Sequence, residues 1–182
     1  FINEFRGHAL GLIEIKNLTY IYPQADTPAL KKINLTIDQG EFILLTGPSG
    51  CGKTTFCRTL NGLIPNFYNG KMEGKVIING LNTADHTTTE LAQHVGLIFQ
   101  NPDNQIFALT VEKDLAFGLE NLGKSKQEMY KEINWAADVT GIQHLRQRAT
   151  HELSGGQKQR LTIASVLAMH PMIVVMDEPT SF

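Results

Sequence analysis

At 182 residues the chain is long enough to bury the core of one ordinary domain, with room for a helical lobe within it. Its 42% hydrophobic and 19% charged residues are typical of a soluble globular protein. With 16 basic and 18 acidic side chains the formal charge is -2, which argues against an electrostatic surface for nucleic acid.

Three strands are predicted in the first part of the chain. Alternating apolar and polar side chains predict strands at 12–18 and 33–37, which we expect to be antiparallel and half exposed. Residues 42–45 instead form a continuous apolar run, and residues 172–176 near the other end have the same pattern. Such runs are typical of strands buried on both faces of a parallel sheet, so we expect both at the centre of the fold.

Two further strands are predicted in the middle of the chain. One covers residues 75–78 and ends at the turn Asn79–Gly80, and a buried strand covers residues 95–99. No segment approaches 18 uninterrupted apolar residues, so we predict no membrane span. The chain begins at Phe1 without a basic and apolar leader, which favours an excised fragment over a secreted precursor.

From residue 110 to residue 140 the apolar period becomes helical, which predicts an insertion of two helices. Gly123 is suited to end the first helix. Ser125 and Glu128 have the spacing of a capping box that begins the second. The two apolar stripes consist of Val111, Leu115, Leu119 and Leu122, and of Met129, Ile133 and Ala137.

Residues 47–54 match the glycine-rich phosphate loop and follow the predicted strand at 42–45. Glycines let backbone N–H groups surround phosphates, Lys53 adds a full positive charge, and the Thr54 hydroxyl suits Mg²⁺. A glycine-rich turn without a ligand is the alternative. Cys51 contributes its backbone rather than a nucleophile, and with Cys57 it shows no metal-site spacing, so we expect reduced thiols. The predicted loop residues are Gly47, Pro48, Ser49, Gly50, Cys51, Gly52, Lys53 and Thr54.

Two adjacent carboxylates, Asp177 and Glu178, follow the apolar run at 172–176. Open α/β sheets bind ligands at the carboxyl ends of their strands, and neighbouring residues of a strand point to opposite sides. We therefore predict that Asp177 holds Mg²⁺ and that Glu178 orients or deprotonates the attacking water. The alternative is a solvated strand end.

A second candidate phosphate site lies at residues 153–157, Leu-Ser-Gly-Gly-Gln, directly before a predicted helix. Ser154 and Gln157 have capping-box spacing, and capping alone is one interpretation. The two glycines, Gly155 and Gly156, weaken the helix start and expose N–H groups to an anion. Because one ATP has a single set of phosphates, we predict that this site serves a nucleotide carried by another subunit.

Taken together, the segments 47–55, 153–157 and 173–178 and the residue Gln100 resemble the ATP-binding cassette (ABC) family. The resemblance implies an α/β P-loop NTPase with a mainly parallel central sheet and an N-terminal antiparallel β subdomain. It implies a single domain at 1–182 with a helical subdomain at 101–153. It further implies that the chain stops before the D-loop and the switch histidine of the family.

The resemblance also implies a head-to-tail dimer in which the phosphate loop of one subunit and the 153–157 motif of the other enclose each ATP with its Mg²⁺. Thr55 belongs to the implied nucleotide site, and Gln100 touches Mg²⁺ and senses the transporter. Tyr22 resembles the aromatic residue that stacks on adenine, although an aromatic covering the edge of a sheet is the alternative. Lys53, Gln100 and Glu178 are the implied catalytic residues.

Residues 96–123 most closely resemble the ATPases of energy-coupling factor transporters, including cobalt and nickel importers. The resemblance implies a cytoplasmic protein at the inner face of the membrane, bound to a transmembrane subunit. The polar turn at 101–105 is suited to meet that partner. A partner helix could also bind a groove at Phe107, Val111, Leu115 and Phe117, although each is better explained as core of the helical lobe.

Two other functions remain open at the level of sequence. ATPases of DNA repair and chromosome maintenance share these motifs, but they carry long coiled coils, and the segment between Gln100 and Leu153 shows no sustained heptads. A non-catalytic nucleotide-binding module is the second alternative. The sequence does not identify the transported solute.

Overall fold

The computed structural model describes residues 11–179, and the chain divides into two compact units, Phe1–Leu91 and Ala92–Phe182. The predictions that concern the start of the chain at Phe1 and the D-loop after Ser181 involve residues outside this range. The two units are described separately below.

The N-terminal unit contains an antiparallel four-stranded sheet with the order β2-β1-β3-β4. The strands are β1 (Ile13–Ile21), β2 (Leu30–Ile37), β3 (Lys71–Ile78) and β4 (Leu81–Asn82). Both early strands predicted from alternation are present and pair with each other. The turn after β3 is also confirmed, because Asn79 and Gly80 have φ values of 47° and 81°, the left-handed region that tight hairpin turns require.

Three short helices complete the N-terminal unit: α1 (Lys53–Leu60), α2 (Leu63–Asn66) and α3 (Thr88–Leu91). Helix α1 begins at Lys53, directly after Gly52. Both the sheet and the helices of this unit contribute buried apolar side chains. The fully buried side chains include Leu18, Tyr20, Ile64, Val76, Ile78 and Leu91.

The prediction of a buried central strand at 42–45 is wrong for this structure. Within residues 11–179 this segment belongs to no strand, and Phe42 and Leu44 are 94% and 78% exposed. An apolar run becomes a buried strand only where neighbouring strands bind its backbone and other elements cover its side chains. The composition of residues 42–45 makes the segment apolar, but it does not determine whether other strands and helices pack against it.

The C-terminal unit contains a parallel pair of strands, β5 (Val95–Ile98) and β6 (Ile173–Met176), in the register Val95 to Ile173 and Ile98 to Met176. Strand β5 is buried along its whole length, as predicted. Strand β6 is present, but the prediction that both its faces are buried is wrong, since Val174 and Met176 are 38% and 44% exposed.

The α-helices of the C-terminal unit are α4 (Val111–Asn121), α5 (Lys126–Val139) and α6 (Gly155–Ala168), and the short turns Pro102–Asn104, Gln143–Leu145 and Thr150–Glu152 are 3₁₀-helical. The inward faces of the α-helices form one apolar cluster that includes the predicted stripe residues Val111, Leu115, Leu119, Ile133 and Ala137. The helical insertion predicted from periodicity is therefore confirmed. None of the helices between residues 11 and 179 has the length and apolar character needed to cross a membrane.

The chain between α4 and α5 follows local signals closely. Gly123 adopts a φ of 68°, and the N–H groups of Gly123 and Lys124 donate to the carbonyls of Glu120 and Leu119, which closes the end of α4. Ser125 and Glu128 form the predicted capping box. The Ser125 side chain and backbone lower the pKa of Glu128 below its ordinary value. This cap therefore stabilises α5 above the ordinary carboxyl pKa and weakens as the pH falls through the lowered value.

A buried carboxylate, Asp114 of α4, holds the segment that precedes its own helix. One Asp114 oxygen accepts from the N–H groups of Phe107 and Ala108 at 2.9 and 3.1 Å, and the other accepts from the Ser165 hydroxyl of α6 at 3.1 Å. Asp114 is only 5% exposed. It thus ties an exposed loop to two helices of the core.

Replacing Asp114 with alanine is expected to lower the free energy of unfolding by about 3 kcal/mol, because two backbone donors lose a buried acceptor. Urea denaturation of the full-length protein measures this change. Asp114→Asn is the matched variant, since its amide oxygen still accepts from both N–H groups, and it should cost about 1 kcal/mol. Equal losses in the two variants would contradict the importance of these acceptors.

Candidate functional site

The glycine-rich segment 47–54 leads into α1, as predicted, and its last two residues, Lys53 and Thr54, begin the helix. Gly52 caps the helix with a φ of 100° and without a side-chain hydrogen bond, and a Cβ there would lie 2.6 Å from the Ala29 carbonyl oxygen. A Cβ on Gly47 would lie 2.8 Å from the Cys51 sulfur and would fill the interior of the loop. Gly47 therefore leaves room within the loop, whereas Gly52 allows the left-handed backbone and the close approach to Ala29 with which α1 begins.

The ammonium of Lys53 lies over this loop. Its Nζ donates to the carbonyl oxygens of Gly47 and Pro48 at 3.1 and 3.2 Å. The cation therefore stands beside the helix N-terminus, where an anion would gain both from the backbone N–H groups and from the charge of Lys53.

Tyr22 lies close to the same loop within the N-terminal unit. Its hydroxyl shares a hydrogen bond of 3.0 Å with the Thr55 hydroxyl on α1, and its ring meets Tyr20 edge to face with centroids 4.9 Å apart. Tyr22 is half-buried, whereas Tyr20 is fully buried. The Thr55 contact was not foreseen from sequence, because nothing in a linear motif pairs residues 22 and 55.

In the C-terminal unit, Gln100 and Glu178 meet at the carboxyl ends of the parallel strands β5 and β6. The Gln100 Nε2 donates to a Glu178 carboxylate oxygen at 2.7 Å. Asp177 is buried, its N–H donates to the Ile98 carbonyl at 3.0 Å, and Glu178 is exposed with a φ of 48°. The two carboxylates thus have different environments, but because β6 ends at Met176 the difference arises in the turn after the strand and not from strand alternation.

The 153–157 motif forms the N-terminus of α6. Ser154 and Gln157 make a complete capping box, with the Ser154 N–H donating to the Gln157 side chain at 2.9 Å. Gly155 and Gly156 are both exposed. Capping and an accessible helix N-terminus therefore coexist, so the capping interpretation does not exclude an anion at this end of the helix.

The segment after Gln100 contains contacts that the sequence did not suggest. The carboxylate of Asp103 forms an ion pair with the Lys158 ammonium of α6 at 2.6 Å. Of the four predicted groove residues, Val111 and Leu115 are core, whereas Phe107 and Phe117 are exposed with ring centroids 5.8 Å apart. The core interpretation is therefore confirmed for Val111 and Leu115 and is wrong for Phe107 and Phe117, whose side chains remain at the surface.

The residues predicted to bind Mg²⁺ offer a hydroxyl, an amide and a carboxylate, from Thr54, Gln100 and Asp177. Among residues 11–179 no group of three or more His, Cys, Asp or Glu side chains could hold a metal ion. The predicted donors are all oxygen atoms, and such a set suits Mg²⁺, which accepts few protein oxygens and keeps several waters and phosphate oxygens as ligands. It does not suit zinc or another metal that prefers nitrogen and sulfur.

Cys51 and Cys57 differ in exposure and so provide an internal comparison. Cys51 in the loop is exposed and Cys57 on α1 is buried. If nucleotide occupies the loop, alkylation of Cys51 should slow about tenfold or more in the presence of ATP, because the phosphates cover its surroundings. Mass spectrometry of each cysteine measures this. Equal Cys51 rates with and without ATP would contradict the placement, and Cys57 should remain slow throughout.

The motifs and the fold together define a nucleotide-binding protein of the P-loop class. A family model described as ABC transporter matches residues 30–181, and the chain belongs to this family. It has the α/β fold of ABC ATPases, with an antiparallel N-terminal sheet, a parallel sheet and helices. ABC ATPases bind ATP and typically Mg²⁺.

Among curated proteins, the chain is 49% identical over 172 residues to a Pyrococcus abyssi protein named as a putative ABC transporter ATP-binding protein. That alignment covers 94% of this chain and 61% of the relative. A Bacillus subtilis protein named as a putative HMP/thiamine import ATP-binding protein is 42% identical, with 93% and 31% covered. The chain therefore spans about three fifths or less of these relatives.

Among solved structures, cbiO1 of Clostridium perfringens is similar with a TM-score of 0.80 and 35% identity, covering 94% of this chain and 66% of that one. It is described as part of the ABC transporter complex cbiONQ. A dimeric ATP-binding cassette, MJ0796, bound to ADP and phosphate is similar with a TM-score of 0.77 and 32% identity, covering 93% and 75%.

Proposed function

We propose that this chain is the ATP-binding and ATP-hydrolysing part of an ABC transporter subunit of the energy-coupling factor type, which couples hydrolysis to solute uptake. The observation that carries the proposal is the hydrogen bond of 2.7 Å between Gln100 and Glu178. It joins the residue proposed to sense the transporter with the residue proposed to activate water. Both stand at the edge of a parallel sheet where such folds bind ligands.

The proposed reaction converts ATP and water to ADP and phosphate. Glu178 accepts a proton from the attacking water, whose oxygen bonds to the γ-phosphorus as the bond to the leaving ADP oxygen breaks. Lys53 and the loop N–H groups bind the phosphate charge and orient the nucleotide. Mg²⁺, held by Thr54, Gln100 and Asp177, would neutralise charge on the phosphates when bound. Tyr22 would stack on adenine.

A second subunit and a membrane subunit are the proposed partners. The exposed Ser154–Gln157 motif would contact the nucleotide bound by a second ATPase subunit, and dimeric cassettes among the similar structures support this. Phe107 and Phe117 give the surface an exposed aromatic pair suited to an apolar segment of the membrane subunit. The proposed location is therefore the cytoplasmic face of the cell membrane.

The energy-coupling factor assignment rests on the likeness of residues 96–123 and on similarity to cbiO1. The test is the ATPase rate of the full-length protein, alone and with its membrane subunits in lipid nanodiscs. We expect phosphate release in both cases and a higher rate with the membrane subunits. Stimulation by DNA instead would favour the chromosome-maintenance alternative, and binding without hydrolysis in either state would favour a nucleotide-sensing module.

A further inference from the structure

The ion pair between Lys158 and Asp103 lies beside the N-terminus of α6. Lys158 directly follows Gln157, and its Nζ is 2.6 Å from an Asp103 carboxylate oxygen. The Asp103 side chain is 62% exposed and the Lys158 side chain 22% exposed. An ion pair with so much solvent contact is weak, so a small displacement of either element breaks it.

A lysine in the first turn of a helix is electrostatically unfavourable, because the N-terminal end already carries partial positive charge. Helices α4 and α5 place acidic residues in their first turns, whereas α6 has none there. Lys158 directly follows the exposed Ser154–Gln157 segment, and side chains on a helix lean toward its N-terminus. Asp103 supplies the negative charge that the helix itself lacks.

Asp103 belongs to the segment that carries Gln100. It lies in a short 3₁₀ turn, Pro102–Asn104, and its N–H donates to the Asn101 side chain at 2.9 Å. Gln105, which follows this turn, accepts from the Phe99 N–H and donates to the Leu97 carbonyl, both at 3.0 Å. The turn is therefore fastened to the end of β5, and displacement of this segment moves Asp103 together with Gln100.

We propose that Lys158 is a further phosphate-attracting residue of the 154–157 motif, and that Asp103 withholds its charge until the 101–105 turn moves. The inference rests on the proposed function, because it assigns regulation to the proposed second nucleotide site. With the pair intact, the carboxylate cancels the field of the lysine. When a partner displaces the turn, the uncancelled charge strengthens phosphate binding at the N-terminus of α6.

The test uses the full-length protein and measures the ATP dependence of hydrolysis. Asp103→Asn should lower the KM for ATP about two- to fivefold, the size expected for one unit charge acting over about 10 Å. Lys158→Gln should raise the KM by a similar factor. The double variant should match Lys158→Gln, because Asp103 then has no charge to cancel. Lys126→Gln is the matched control, since it removes an exposed lysine from the first turn of α5 and should change nothing.

Salt provides a readout that a purely structural pair would not show. At about 1 M salt, where the Debye length is about 3 Å, the differences in KM among the variants should largely disappear. Changes of KM in the same direction for both single variants, or an Asp103→Asn effect that persists without Lys158, would overturn the inference. If the unaltered protein itself does not hydrolyse ATP, the proposed function fails instead.

Discussion

Replacing Lys53 with alanine is expected to weaken ATP binding at least about 100-fold. The Lys53 ammonium stands at the loop opening, 3.1 and 3.2 Å from the Gly47 and Pro48 carbonyl oxygens, and it is the only cationic side chain between residues 47 and 54. Without it, the phosphates retain only backbone dipoles. The expected factor corresponds to the loss of two charge-assisted hydrogen bonds from Lys53 to the phosphates, at about 1.5 kcal/mol each.

Equilibrium titration of the full-length protein with a fluorescent ATP analogue measures the loss. Lys31→Ala is the matched control, because Lys31 is an exposed lysine on β2 of the same unit and lies outside the loop. It should bind ATP normally. Retained affinity in Lys53→Ala, with the control unchanged, would show that the loop does not bind phosphate.

The elements that the sequence predicts well are those specified by neighbouring residues. The Ser125 capping box, the left-handed Gly123 and the Asn79–Gly80 turn all form as expected, because each depends on side-chain and backbone preferences within a few positions. The core stripe of α4 also forms, since helical periodicity places its apolar side chains on one face whatever they pack against.

Burial of the two apolar runs could not be predicted in the same way. Residues 42–45 are as apolar as any buried strand, yet Phe42 is 94% exposed. Strand β6 forms beside β5, but Val174 and Met176 are 38% and 44% exposed. Whether such a run is buried depends on elements that are distant in sequence, and the local pattern of apolar residues does not specify those elements.

In the candidate site, too, local features could be predicted from sequence whereas contacts between distant residues could not. The glycine loop and the 154–157 cap follow from their own motifs. The contacts of Tyr22 with Thr55, Gln100 with Glu178 and Lys158 with Asp103 join residues 33, 78 and 55 positions apart. One residue of each pair belongs to a motif or a resemblance recognised in the sequence, but which residue it contacts depends on how the strands and helices pack. Asp103 lay within a segment recognised only as a polar turn.

Replacing Glu178 with glutamine is expected to lower ATP turnover at least about 100-fold while leaving ATP affinity within about threefold. The glutamine amide has nearly the same size and can still accept the hydrogen bond that Gln100 donates at 2.7 Å. It cannot accept a proton from water, and loss of a general base typically costs two to four orders of magnitude in rate. Because the ATP-bound state then persists, a dimer should accumulate in ATP, measured by size-exclusion chromatography with light scattering.

Glu120→Gln on the exposed face of α4 removes an equal charge without touching the strand ends, so its turnover should match the unaltered protein. Normal turnover in Glu178→Gln would remove Glu178 from the proposed chemistry.

The Lys53→Ala and Glu178→Gln variants together test whether the two residues share one nucleotide. If Lys53 and Glu178 act on the same ATP, adding Lys53→Ala to Glu178→Gln should abolish the trapped dimer, because no nucleotide remains to hold the subunits together. A dimer that survives in the double variant would mean that the two residues serve different ligands.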